Sequence, residues 1–481
     1  MEPISTVESL CPECLGKIGG IKYAENGQVY IKKECPDHGS FTTLISEDIG
    51  HYRQMEECFE VNRSRARASL TDVEKGCPFD CGLCPSHKQD TCLAVVEVTD
   101  RCDMGCAYCF ASSSMDKSLD PDMATIRFMF ETVKKCQNEP TCIQISGGEP
   151  TLRDDLPEII RMGKEVGITH IELNTNGRRI ANDQDYFDRI AAAGIDAIYL
   201  GFDGVSDDIY VKRTGKKLFD IKARVISRCE KAGIGVVLVP LVAKNYNLHE
   251  VGRIIEFAGS RVPTVRGVHF QPVFYSGRAP SGREGRVTIL ELLREIEKQT
   301  KGQLKVENFT PSLMPHAHCG ATCLTVIDNG CFLPLTNVSL GAIKSASDVA
   351  SKTKRSIMGR WKGSEKEEKQ KSSCGDLLIK SSCCEKPISQ LTVKGSCCEK
   401  PIADVLPKNS RLGGGWADFI EMSKNSYLTI STMAFQDVWS YEKERVENCC
   451  IHVVTRDGRF VPFCNYNMTD CDGKFLYRNA A

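Results

Sequence analysis

Two stretches in the first quarter of the chain space their cysteines alike. GCPFDCGLCPSH carries Cys77, Cys81 and Cys84, and EVTDRCDMGCAYCFASSS carries Cys102, Cys106 and Cys109. Three thiolates are one too few for a closed tetrahedral thiolate site. On a [4Fe–4S] cubane, however, three thiolates leave one iron open to an outside ligand. The first set is followed by Cys92, which would make four ligands and a closed auxiliary cluster. The second has the aromatic Tyr108 just before its last cysteine, where the first has Leu83.

Further thiols gather at both ends. CPEC supplies Cys11 and Cys14, and ECPDHG supplies Cys35. Two readings are open: a zinc ribbon of Cys11, Cys14, Cys35 and His38, or a rubredoxin-like mononuclear iron with Cys58 as fourth thiolate. Near the other end, Cys319, Cys449 and Cys464 are expected to share an auxiliary [4Fe–4S] cluster, with Cys323 or Cys450 fourth. Cys136, Cys142 and Cys229 lie inside apolar segments and read as buried structural thiols.

Composition sets the context. The chain has 481 residues, 26 of them cysteine, and a formal net charge of −1, so no basic field points to nucleic acid. Its longest apolar stretch, GIGVVLVPLVA, is too short to span a bilayer. MEPISTVESL lacks the charged start and apolar core of a secretion signal, so a cytoplasmic location is expected. There, clustered cysteines point to metal rather than to disulfides.

These residues need elements to hold them. From Leu93 to about Thr300, six strand-like runs (LAVVEVT, TCIQISGG, HIELNTNG, AIYLGFDG, GVVLVPLV, VRGVHFQPVF) alternate with amphipathic helical segments. Six βα units predict a parallel sheet short of the eight-unit closed barrel, so the fold expected is α/β, an open partial barrel. The expected organisation is a metal-knuckle module over 1–60, an auxiliary-cluster segment over 61–92, the barrel over 93–300, and a cysteine-rich extension over 301–341 and 413–481. The extension shows hairpin turns at Asn329-Gly330 and Asp457-Gly458. Between its parts, 342–412 is a Lys/Ser/Cys-rich insert expected to be disordered.

The second three-cysteine set follows the first strand, on the loop where parallel α/β sites form. The second strand ends in SGGEPTL, the third in LNTNG and the fourth in LGFDG. In that order these motifs resemble the radical S-adenosylmethionine (SAM) superfamily. The resemblance implies a SAM-binding [4Fe–4S] cluster on Cys102, Cys106 and Cys109. It also implies cleavage of the sulfonium to a 5′-deoxyadenosyl radical, and cofactor contacts from Tyr108, Gly147, Gly148, Glu149, Asn174, Asn176 and Asp203. Paired glycines allow close backbone approach, and a carboxylate complements the ammonium of a methionyl group. His269, Gln271, Arg278, His452 and Tyr466 are weaker candidates.

At finer grain, CPEC with CPDHG, CPFDCGLCPSH and PFCNYN are similar to archaeal tetraether lipid synthases. That resemblance implies coupling of two phytanyl chains of archaeal diether lipids at their terminal methyl carbons. It implies a lipid substrate, peripheral membrane contact, and an external electron donor such as ferredoxin or flavodoxin. Two alternatives use the same core, a radical SAM methyltransferase of pterin cofactor biosynthesis and a peptide-maturing enzyme. A non-enzymatic alternative is an iron–sulfur carrier or sensor.

Overall fold

The computed structural model describes residues 1–58, 65–116, 120–280, 282–312, 314–338, 354–355, 358–359, 392–394, 399–401 and 426–478. The N-terminal stretch forms a four-stranded antiparallel sheet of β1 (Glu2–Leu10), β2 (Lys17–Glu25), β3 (Gln28–Cys35) and β4 (Gly39–Ser46), in that order. Its two metal knuckles are the β1–β2 and β3–β4 connections. Helix α1 (Ile49–Glu57) follows, its first turn capped by the Asp48 carboxylate, which accepts from the His51 N–H at 3.0 Å.

The next strands are β5 (Leu93–Thr99), β6 (Cys142–Gly147), β7 (His170–Thr175), β8 (Ala197–Gly201), β9 (Gly235–Val239), the short β10 (Leu241–Val242) and β11 (Val265–Pro272). Six of them run parallel in the order β5-β6-β7-β8-β9-β11. The interleaved helices are α2 (Met123–Cys136), α3 (Leu156–Glu165), α4 (Arg178–Asn182), α5 (Gln184–Ala192), α6 (Asp207–Thr214), α7 (Phe219–Ala232) and α8 (Val251–Gly259), with α9 (Ile289–Gln299) after the last strand. Every second strand residue, including Val96, Ile145, Leu173, Leu200, Leu238 and Phe270, joins one continuous core against the helices. The sheet is open, as the six-unit count predicts.

What the sequence did not announce is how the extension completes this sheet. β12 (Thr310–Pro311), β13 (Gly320–Asp328) and β14 (Cys331–Pro334) include the expected hairpin at Asn329-Gly330. The pair β15 (Thr392–Lys394) and β16 (Glu399–Pro401) forms a separate antiparallel ribbon within the segment expected to be disordered; the rest of that expectation lies almost wholly outside the described residues. β17 (Tyr427–Met433) lies parallel to β11 and antiparallel to β13. β18 (Ile451–Val454) lies parallel to β5, with β19 (Phe460–Pro462) returning around Asp457-Gly458. Both edges of the six-stranded core are therefore paired by the C-terminal extension, so neither offers open backbone donors. Among the described residues, no helix is long and apolar enough to cross a membrane.

Candidate active site and metal centres

Cys102, Cys106 and Cys109 lie half-buried on the loop that leaves β5. That loop sits against the end of β6 because two glycines permit it. A Cβ on Gly147, which has φ +128°, would fall 2.1 Å from the Thr99 carbonyl oxygen, and one on Gly148 would fall 2.1 Å from that of Arg101. Backbone hydrogen bonds fill the space instead, Gly148 N–H to Thr99 and Glu149 N–H to Arg101, both 2.8 Å. The glycines thus bring two stretches of this chain together.

The ends of other strands fasten the same loop. Asn176 donates to the Asp103 carboxylate at 2.9 Å, Arg178 pairs with that carboxylate, and Lys216 reaches the Asp103 carbonyl at 2.9 Å. Asp203 holds the half-buried Arg213, whose guanidinium donates to the Tyr108 carbonyl at 3.2 Å. After β11, Arg278 exchanges two backbone hydrogen bonds with Cys109 and donates from Nε to the Cys106 carbonyl at 2.7 Å. Gly277, at φ +60°, makes this approach possible.

Burial and nearby cations act in opposite directions on these thiols. Burial pushes the Cys102 thiol up to about 12 and raises Cys106, with Arg213 opposing the rise at Cys106. Lys222 is buried alongside and pushed down to about 8 by desolvation, with Asp203 and Glu149 opposing; its ammonium donates to the Asn176 carbonyl at 2.6 Å. Three thiols on one loop, with the cations Arg213 and Lys222 beside Cys106, fit the donor set of a thiolate-bound cubane.

Glu149, expected among the cofactor contacts, has partners within the chain. Its buried carboxylate accepts from Thr151 N–H at 3.0 Å, the Thr151 hydroxyl at 2.5 Å, the Thr175 hydroxyl at 2.6 Å and Asn176 N–H at 2.6 Å. It locks the end of β6 to the end of β7 and is already well supplied with donors. Asn174 faces Ser146 at 3.3 Å.

At the N-terminus, the ligand atoms of Cys11, Cys14, Cys35 and His38 all lie within 4.8 Å of one another, which suits one tetrahedral ion. His38 Nδ1 is 3.6 Å from Cys11 Sγ and 3.4 Å from Cys35 Sγ. Cys58 does not join them: it caps α1 and its thiol reaches the Val338 carbonyl at 3.4 Å. The ribbon reading with His38 fits and the four-thiolate one does not.

The remaining cysteines regroup. Cys77, Cys81 and Cys84 line one cavity with Leu83, His87 and Pro462. Asn465 donates to Cys81 Sγ at 3.2 Å, and Tyr441 Oη is 3.6 Å from Cys77 Sγ. Cys92, expected as their fourth partner, sits elsewhere: its sulfur is 2.7 Å from that of Cys450, and its N–H donates to the Cys450 carbonyl at 2.7 Å. Cys449 is half-buried and raised well above the usual thiol range, by desolvation first and then by Cys464, Cys319 and Cys92. Arg445 donates to Cys319 Sγ at 3.5 Å and Gln436 N–H to Cys464 Sγ at 3.3 Å. Cys319, Cys449 and Cys464 therefore do share a neighbourhood, with Cys92 and Cys450 beside them. Cys323 belongs to the helix-facing core. Arg213, Lys222, Asn465, Tyr441 and Arg445 escaped sequence reasoning because no local pattern marks a buried cation or amide whose partner is far away in the chain.

Residues 96–258 match the radical SAM superfamily, and residues 3–47 match the HMPTM N-terminal zinc ribbon domain. The chain is 34% identical to the 7,8-dihydro-6-hydroxymethylpterin dimethyltransferase of Methanocaldococcus jannaschii, over 95% of this chain and 92% of that one. The chain belongs to this relative's family. A probable GTP 3′,8-cyclase of Sulfolobus acidocaldarius is 27% identical over 46% of this chain and 73% of its own. Among solved structures, Streptococcus suis SuiB bound to S-adenosylmethionine overlaps 44% of this chain and 47% of its own, with a TM-score of 0.37 and 14% identity.

This family membership corrects the finer resemblance. The relative matched along nearly the whole chain is a pterin dimethyltransferase, so the tetraether lipid synthase reading is overturned, and the coupling of phytanyl chains and the diether lipid substrate fall with it. The superfamily reading stands: this is a radical SAM enzyme that uses a [4Fe–4S] cluster and S-adenosylmethionine, carries an N-terminal metal site, and needs an external electron donor.

Proposed function

We propose that this chain is a radical SAM methyltransferase acting on a reduced pterin, with Cys102, Cys106 and Cys109 holding the SAM-binding cluster. The near full-length identity to a pterin dimethyltransferase carries the reading. When bound, the reduced cluster and SAM supply an oxidant able to take a hydrogen atom from an unactivated C–H bond. Arg213, Asp203, Arg278 and Asn176 position the loop that would hold them. Ferredoxin or flavodoxin is the class of donor proposed for the electron.

The barrel's inner face supports a polar heterocycle. Strand residues alternating with the helix-facing core include Glu97, Gln144, Glu172, Tyr199 and His269. Gln144 donates to Glu172 at 3.3 Å, and His269 Nδ1 is 2.9 Å from the Ser431 hydroxyl. Such a lining offers hydrogen-bonding groups to ring nitrogens and an amino group.

The test is anaerobic turnover of the iron- and sulfide-reconstituted enzyme with reductant, SAM and 6-hydroxymethyl-7,8-dihydropterin. Expected are pterins heavier by one and two methylene units, together with 5′-deoxyadenosine and S-adenosylhomocysteine. SAM cleavage with unchanged pterin would overturn the substrate while leaving the enzyme class intact.

A further inference from the structure

Cys77, Cys81 and Cys84 supply three thiolates to one cavity, and the placement of Cys92 against Cys450 leaves that set without a fourth. Four residues with ligating atoms line the same cavity: Asp80, Ser86, His87 and Glu447. Asp80 is committed to its own loop, one carboxylate oxygen accepting the backbone N–H groups of Glu74, Lys75 and Gly76 at 2.8, 2.7 and 2.5 Å. Glu447 pairs with Lys88 at 2.6 Å and Lys443 at 3.7 Å. Ser86 offers only a neutral, exposed hydroxyl.

His87 is different. It follows Cys84 by one tight turn, its N–H donating to the Cys84 carbonyl at 2.8 Å. Its ring Nε2 lies 2.9 Å from the carbonyl oxygen of Cys449. A carbonyl only accepts, so Nε2 must carry the ring proton, and Nδ1 then presents a bare lone pair. His452 Nε2, 3.1 Å from the same atom, can share that proton when its own Nδ1 donates to Thr91 Oγ1 at 3.0 Å. Nδ1 of His87 has no hydrogen-bond partner among the described residues. One ring nitrogen donating to a backbone carbonyl while the other stays free is how metal-binding imidazoles are oriented.

We propose that His87 Nδ1 is the fourth ligand of an iron–sulfur cluster held by Cys77, Cys81 and Cys84. This deepens the reading that those three cysteines bind a cluster. A neutral imidazole in place of a thiolate makes that centre less anionic and raises its potential over that of an all-cysteine one. Its other nitrogen touches Cys449, so the ligand also bridges this centre to the second cysteine group.

The experiment uses reconstituted full-length protein in which Cys102, Cys106 and Cys109 are alanine, so that only auxiliary clusters remain, with histidine labelled by nitrogen-15. Pulsed electron paramagnetic resonance of the reduced sample should show a strong nitrogen coupling that follows the isotope. The coupling should vanish in His87→Cys, whose iron content is unchanged and whose corresponding midpoint potential moves down. An absent coupling in the labelled His87 protein, which needs no further variant to fold, overturns the inference, as does a coupling that survives His87→Cys. Iron analysis of Cys81→Ala separates the two claims. Undiminished iron there defeats the cluster itself, whereas lost iron with no histidine coupling defeats only the ligand.

Discussion

At the scale of single residues, chemistry and burial pull against each other throughout the barrel. His269 shows it away from any thiol. Desolvation alone pushes its imidazole down to about 4, so it is neutral in the fold and receives or gives one hydrogen bond to Ser431. An unfolded chain protonates the same ring near 6.5 and so binds more protons between the two values. Stability is therefore fully present above about 6.5 and is lost as the pH falls toward 4. The ring is only partly shielded from the barrel's interior space, which discounts the effect to on the order of 1 kcal/mol by pH 5. His269→Gln should flatten the fall of the urea midpoint between pH 7 and pH 5 relative to the parent chain; an unchanged slope would show that His269 is solvated in the fold. The residue scale also marks where sequence reading stopped. The spacing of Cys102, Cys106 and Cys109 is local, so it was legible. The partner of Cys92 was not, because Cys450 reaches it only through the pairing of β18 with β5, and no spacing rule encodes a contact between sheet neighbours so distant in the chain.

At the scale of elements, the six parallel strands were readable because each is a short, apolar-rich run set between amphipathic helical segments. The two hairpins were readable from Asn329-Gly330 and Asp457-Gly458. β17 was missed: it is a single strand that follows the low-complexity insert without a turn signal. Equally hidden was the docking of the N-terminal ribbon through buried charge. Lys22 on β2 meets Glu442 at 3.1 Å, with side chains 7% and 4% exposed, and also donates to Tyr52 at 3.0 Å. Burial alone would raise Glu442, but Lys22 and then Arg445 hold it below the usual carboxylate range. Arg445 in turn touches Cys319, so the ribbon is coupled to the C-terminal cysteines by a chain of alternating charges. The two partners should respond unequally. Lys22→Met leaves Glu442 with Arg445 and should cost the lesser amount. Glu442→Gln strands two buried cations and should approach the ~3–5 kcal/mol typical of a broken buried pair. Urea midpoints of the two variants, with iron content at the C-terminal cysteines as a second readout, check the order; a larger loss from Lys22→Met would mean that Arg445 does not share Glu442.

At the scale of the whole molecule, an open barrel has two edges, and the C-terminal extension pairs both. β17 pairs one edge, β18 the other, and the segment between them carries Asp437, Tyr441, Arg445 and the Cys449–Cys450 pair across the barrel. The last described turn then returns to the active end. Arg478 forms a two-pronged pair with Glu97 of β5 at 2.6 and 2.8 Å, donates to Asn467 at 2.6 Å, and lies over the Tyr466 ring at 4.8 Å. The side chains of Arg478 and Glu97 are 5% and 10% exposed, so removing one leaves the other charged in a dry place. Arg478→Ala should therefore cost about 3–5 kcal/mol, and Arg478→Lys, which keeps the charge but not the fork, an intermediate amount. Because the extension pairs both edges, the loss should be felt as cooperative unfolding of the sheet rather than as fraying of the tail. Limited proteolysis tells these apart: new cleavage confined to residues after Asn467 would show the tail to be a separate strap, whereas cleavage appearing together in α2, α7 and the tail would show one folding unit. The second outcome follows from the topology, since a barrel left open by six βα units depends on the distant end of its own chain to pair its edges.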